Sequence, residues 1–215
     1  IRVIDNSTIT TLAGGASGHQ DGPAATARFR DPTGVAMDSA GSVVYVADTK
    51  NHCIRKIAAG QVSTLAGVPG KPGLVDGAAG QARFYLPHGL ALAGGALYVA
   101  DRSNHVIRRL AAGSVTTHAG SGVSGARDGA LLQARFHRPL DIHRGADGAL
   151  YVADSYRVVR LSGGKATTLA GGPKPGYANG PAANAYFGVI AGVVRTASGA
   201  IFISEGMSDR LRVLD

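Results

Sequence analysis

At 215 residues and 45% apolar side chains, the chain is long enough for one large core and too apolar for a disordered segment. Its apolar runs are only a few residues long, so no stretch can cross a membrane as a helix. A single cysteine, Cys53, excludes an intramolecular disulfide and a cysteine-rich zinc site. The formal charge of +8 comes from arginines spread along the chain, which favours anions in general without selecting one.

One stretch is written four times: VYVADTKNHCIRKI from Val44, LYVADRSNHVIRRL from Leu97, LYVADSYRVVRL from Leu150 and IFISEGMSDRLRVL from Ile201. Tyr45, Tyr98, Tyr151 and Phe202 mark the same slot, at intervals of 53, 53 and 51 residues. A fixed period of this size signals a repeat architecture. Each copy reads as a β-hairpin, an apolar run ended by Asp or Glu, a turn of polar formers, then a second apolar run.

In chain order, Ile1–Ile4 has the character of the second hairpin strand and Thr8–Leu12 that of the strand after it. Within each repeat four strands are predicted. Strand a follows a proline in three copies (Pro32, Pro87, Pro139) and covers Gly34–Met37, Gly89–Leu92, Asp141–His143 and Gly192–Arg195. Strand b is the YVAD run. Strand c covers Ile54–Ile57, Ile107–Leu110, Val158–Leu161 and Leu211–Leu214. Strand d is VSTLAG, VTTHAG and ATTLAG in the first three copies. Long glycine-rich connections (Gly14–Phe29, Gly67–Phe84, Gly120–Phe136, Gly171–Phe187) lead to the next strand a. Loops of this length are functional or packed on themselves. The recurring Asp21, Asp76 and Asp128, with Asn179 in the fourth, and the recurring Phe29, Phe84, Phe136 and Phe187 predict that they are folded. The phenylalanines are expected to wedge between neighbouring sheets.

Four antiparallel strands repeated around an axis describe a β-propeller blade. Strand alternation then places the long loops and the b–c turns on one face, and short Gly/Ala turns on the other. A binding site belongs on the loop-rich face or in the channel mouth beneath it.

The segments ADTKNHCIRKI and ADRSNHVIRRL, preceded by PTGVAMDSAGSVV and PHGLALAGGAL, closely resemble the NHL repeat, with Asn51-His52 and Asn104-His105 as its Asn-His element. The third copy departs with Ser155-Tyr156-Arg157, and the fourth with Ser208-Asp209-Arg210 and Glu205 for Asp. The resemblance implies an all-β propeller of four-stranded blades, usually six to a ring. Residues 1–215 are therefore expected to form one domain of four repeats, cut in mid-repeat at both ends. They would form an arc or incomplete ring, with further blades in a longer chain.

Each Asn-His pair sits at the corner of its own blade, far from its copies, so a structural hydrogen bond is expected there and not a zinc site. Cys53 takes a slot that Val106 fills in the next copy, and reads as a small apolar residue. No serine has the strained strand-to-helix setting of a nucleophile, and GKPG at Gly70–Gly73 lacks the spacing of a phosphate loop.

The resemblance implies two further readings. Some such propellers are lyases of the peptide-amidating type, with metal-binding histidines in the channel. The residues following the strand-a proline are Thr33, His88, Leu140 and, by alignment, Ala191, one histidine in four. Others bind RNA or protein on the loop-rich face. Residues there that vary from blade to blade are Arg30, Lys50, Tyr85, Arg102, Arg138 and Tyr156, joined by His88 at the channel mouth. The expectation is a non-catalytic scaffold without a cofactor, not inserted in a membrane, that binds a protein or other macromolecule. A channel-centred lyase or hydrolase and an RNA or polyanion binder are the alternatives. Finally, Arg28, Arg83 and Arg135 share one slot and Asp48, Asp101 and Asp154 another, which predicts that each Arg reaches an Asp and ties the long loop to the sheet.

Overall fold

The hairpin copies form strands because their β-branched and aromatic runs are short and end at turn residues. In a computed structural model that describes every residue except Asn6 and Met207, they build four sheets. Sheet 1 contains strands a to d at Pro32–Met37, Val43–Asp48, Cys53–Ala58 and Gln61–Ala66. Sheet 2 contains Pro87–Ala93, Ala96–Asp101, Val106–Ala111 and Ser114–Ala119. Sheet 3 contains Pro139–Arg144, Leu150–Asp154, Arg157–Ser162 and Lys165–Gly171. Sheet 4 has strands a to c, at Ile190–Arg195, Ile201–Glu205 and Arg210–Leu214. All are antiparallel meanders. Helix among the described residues is confined to three-residue 3-10 turns.

Strand a begins at its proline and not at the following glycine, since Pro32, Pro87 and Pro139 already pair with Asp48, Asp101 and Asp154. An irregularity in pairing follows the first residue of strand a in all four sheets, after Ile190 as after the three prolines, so it belongs to the blade and not to the missing proline N–H. A two-residue strand from each of the first three long loops (Gly22–Pro23, Gly77–Ala78, Gly129–Ala130) adds a fifth member outside strand d. Ahead of sheet 1, Arg2–Asp5 pairs with Thr8–Thr11. Thr8–Thr11 does not join Arg210–Leu214, so these two strands do not close a ring.

The core lies between sheets. Phe84 packs with Ala47 and Ile54 of sheet 1 and with Leu90 and Val99 of sheet 2. Phe136 joins Ile107 to Ile142 and Val152, and Phe187 joins Val158 to Ile190 and Ile201. The predicted wedges are therefore present, each fully burying a ring that contributes roughly 1.5–3 kcal/mol. Successive a strands approach each other most closely. A Cβ on Gly34 would lie 2.0 Å from the His88 carbonyl oxygen, and one on Gly89 would lie 2.6 Å from Asp141 Cα. Glycine is required at both.

Candidate binding face

The b–c corners and the ends of the long loops are hydrogen-bonded into one surface. Lys50 N–H donates to Arg30 O at 3.0 Å, Ser103 N–H to Tyr85 O at 3.0 Å and Gly206 N–H to Val189 O at 2.9 Å. Beneath this surface each corner repeats a buried polar network. In sheet 2 the Asp101 carboxylate accepts the Tyr85 N–H at 2.8 Å, Asn104 Nδ2 at 2.8 Å and Arg108 at 3.0 Å. Arg108 is fully buried and also donates to Asp76 at 2.6 Å and to the carbonyls of Arg83 and Val75. Asp76 in turn accepts the N–H and hydroxyl of Thr117 on strand d. One guanidinium thus joins strand b, strand c, strand d and the long loop. Sheet 1 does the same with Asp48, Asn51, Arg55, Asp21 and Thr64.

This corrects the expected pairing. Asp48, Asp101 and Asp154 bond to Arg55, Arg108 and Arg157 of strand c, and not to Arg28, Arg83 or Arg135. The latter three are exposed and make no ion pair among the described residues. The backbone carbonyl of each is what enters the network. Its side-chain stem lies over a loop glycine, with Arg83 Cδ 3.3 Å from where a Cβ of Gly73 would stand. The physical reason is alternation. The neighbouring Phe points into the core, so the Arg beside it points out.

Sheet 3 reaches the same arrangement from a different register. Asp154 pairs directly with Arg157 across a turn two residues shorter than that of sheet 1, where Asp48 pairs with Cys53. Arg157 therefore occupies the slot of Cys53 and Val106, while Val159 stands where Arg55 and Arg108 do. Its guanidinium still reaches both Asp154 and Asp128, each at 2.9 Å. In sheet 4 Arg212 bonds Glu205 at 2.8 Å and Asn179 Oδ1 at 2.7 Å, so the longer acid and the neutral amide keep the geometry.

The two carboxylates on Arg108 are shifted in opposite directions. Burial pushes Asp101 and Asp154 up to about 6, against the pull of Asn104 and Arg108 and of Arg157. Burial acts on Asp21 and Asp76 too, but the Thr64 and Thr117 N–H groups and the nearby arginines outweigh it. Both lie below the usual carboxylate range. Burial also raises the Cys53 thiol well above its ordinary range, which leaves it an inert core group.

The Asn-His element is structural, as expected. Asn51 and Asn104 cap the corner aspartates and donate to Gly18 O and Gly73 O of the long loops. His52 and His105 adopt left-handed backbone at φ 59° and 58°. Each Nδ1 accepts an N–H from the next blade, of Leu86 and of Arg138, at 3.2 Å. Burial, with Arg30 beside His52 and with His137 and Arg138 beside His105, lowers both imidazoles.

Of the varying residues named from sequence, Arg30, Lys50 and Arg138 are exposed, and Lys50 pairs with Asp31 at 3.3 Å. Tyr85 meets the His52 ring edge-on at 5.6 Å, and Tyr156 lies nearly parallel to His137 at 6.1 Å. His137 also lies near-parallel to His105, so it bridges two corners. His88 and Arg102 are half-buried at the inner rim. Among the described residues no group of three His, Cys, Asp or Glu side chains converges as for a metal ion. A cavity of about 650 Å³ beside Arg210–Leu214, lined by Tyr177, Phe187 and Arg212, occupies the place that strand d takes in the other sheets.

Comparison with known proteins agrees with this architecture. A model of the NHL repeat matches residues 29–57 and 84–110. The human "NHL repeat-containing protein 2" is 34% identical over 124 residues, which are 55% of this chain and 17% of that protein. The chain therefore spans under a fifth of that relative's length. A solved auxiliary nutrient binding protein from Bacteroides ovatus is 27% identical with a TM-score of 0.53, covering 62% of this chain and 36% of that one. The virginiamycin B lyase of Staphylococcus aureus has the same TM-score at 15% identity, covering 84% and 54%, and shares the fold alone.

Proposed function

The chain is an NHL-repeat β-propeller, and from that premise we propose that it is a non-catalytic scaffold that binds a protein partner on its loop-rich face. The observation that carries this reading is a contrast in depth. The corner network beneath the face recurs in all four sheets, while the side chains above it differ at every blade. Arg30, Tyr85, His137 and Gly188 fill one slot, and Lys50 and Ser103 another. A surface held rigid from below and varied above suits one asymmetric partner. Tyrosine and arginine, which dominate here, also carry much of the energy in protein interfaces.

Photocrosslinking tests the reading. A benzoylphenylalanine placed at Tyr85 or Tyr156 should capture a discrete protein from native cell extract, while one at Ala112, on the short-turn face, should not. Equal capture from both faces, or none from either, contradicts it.

The unpaired Arg28, Arg83 and Arg135, together with the net charge of +8, favour a second reading as a polyanion binder. The corner networks beneath them each carry two carboxylates per arginine in sheets 1 to 3, which balances those charges locally. Titration with polyuridylate across salt separates the two readings. Affinity falling steeply with salt would favour phosphate contacts.

A further inference from the structure

The first residue of each b–c corner faces the second residue of strand a. In sheet 1 these are Thr49 and Thr33, whose hydroxyls are 2.6 Å apart. In sheet 4 they are Gly206 and Ala191, and a Cβ on Gly206 would lie 3.1 Å from Ala191 Cβ. In sheet 3 they are Ser155 and Leu140, and the serine hydroxyl is satisfied by the His137 carbonyl. Sheet 2 alone places two nitrogen-bearing side chains in these slots, Arg102 and His88.

Arg102 is left unsatisfied there. It is half-buried, makes no ion pair among the described residues, and its Nε is buried without an acceptor. Arg108 Nε is also buried without an acceptor, but both terminal nitrogens of that guanidinium are bonded, whereas Arg102 has no side-chain hydrogen bond among the described residues and so has its whole guanidinium free for a partner. The nearby carboxylates are committed elsewhere. Asp31 pairs with Lys50 at 3.3 Å, and Asp141 accepts the Val193 N–H at 3.0 Å. His88 Nδ1–H donates to Leu140 O at 2.8 Å, so Nε2 is the free ring nitrogen and donates to an anion once the ring takes up a second proton. Burial, and then the Arg102 charge, lowers His88, so an anion bound between them would reverse part of that effect.

We propose that Arg102 and His88 form a carboxylate-binding site at the inner rim of the loop-rich face, occupied by an acidic side chain of the protein partner. This rests on the partner-binding reading and names the chemistry of its anchor. A planar guanidinium with unused N–H groups matches a carboxylate, and a half-buried setting strengthens the pairing relative to solvent. Thr49 and Gly206 in the equivalent slots of sheets 1 and 4 explain why one rim position and not all four would receive the acid.

The test is titration of fluorescein-labelled hexaglutamate into the whole chain, with hexaglutamine as control. Saturable binding should weaken at least fivefold in Arg102→Gln and less in Arg102→Lys, with hexaglutamine failing to bind. The His88 ring resonance should titrate at higher pH when hexaglutamate is present. Arg102→Gln removes an unpaired group, so its thermal melt should not fall, which confirms that lost binding is not lost folding. Absence of saturable binding, or equal binding by Arg102→Gln, overturns the site. Displacement of the peptide by inorganic phosphate at equal charge overturns the carboxylate preference. If hexaglutamate binds through Arg102 but crosslinking captures no partner, the site stands and the partner reading falls. Crosslinking without hexaglutamate binding gives the reverse.

Discussion

The blade corner and the inner rim lie next to each other and are built on opposite rules. At the corner, four sheets reach one network by three routes: the regular slot of Arg55 and Arg108, the shifted slot of Arg157, and the Glu205–Arg212–Asn179 variant. At the rim, the paired slots hold Thr with Thr, His with Arg, Leu with Ser and Ala with Gly. Where geometry is kept while residues move to preserve it, the fold depends on it. Where residues vary with no compensating change, the fold does not depend on them, and recognition is free to use them.

The largest expected effect breaks the corner. Arg108→Ala leaves Asp101 buried without its counter-charge and releases Asp76 and two loop carbonyls. Loss of one partner from a buried pair costs about 3–5 kcal/mol, measurable by urea unfolding. A smaller loss of about 1–3 kcal/mol is expected for Gly89→Ala, because its Cβ would force apart strands a of sheets 2 and 3.

The link between blades gives a pH-dependent effect. His105 has a depressed pKa in the folded protein, first because burial disfavours the charged ring and then because His137 and Arg138 lie beside it, and the neutral ring accepts the Arg138 N–H. Its contribution is therefore present above the ordinary value of 6.5 and is lost as pH falls through the folded value. The stability advantage of wild type over His105→Phe should be about 1 kcal/mol at pH 7 and shrink toward pH 5. An advantage that grows on acidification would reverse the assigned hydrogen bond.

Much of the fold was legible because its signals are local and repeated. The hairpins, the loop-rich face and the phenylalanine wedges follow from apolar runs, turn residues and a constant period. The polar network was only half legible. Asp48, Asp101 and Asp154 were marked by recurrence, but the partner was sought in the loop arginine that recurs with them. The signal that would have found the right one is Arg55, Arg108 and Arg212, which recur in strand c seven residues after Asp48, Asp101 and Glu205, on the face that alternation turns inward, where a charge needs a buried partner. The shortened turn of sheet 3 hides that pattern, since Val159 stands in the arginine slot. Recurrence of Asp21, Asp76 and Asp128 predicts that the long loops are folded, but their contact with strand d is visible only in the folded loop. The inner rim was legible as residues but not as a pair, because Arg102 and His88 meet only through the slot geometry that Thr33 and Thr49 reveal.

The smallest expected effect belongs to Arg83→Ala. Its guanidinium has no ion pair among the described residues, and the carbonyl that Arg108 uses survives the substitution, so stability should change by no more than about 0.5 kcal/mol. Urea unfolding of Arg108→Ala and Arg83→Ala side by side is thus the most direct test of the account. A loss of about 3–5 kcal/mol in the first against near-wild-type stability in the second is the predicted result. Comparable losses in the two, or a larger loss in Arg83→Ala, would contradict the claim that the strand-c arginine is what ties the loop to the blade.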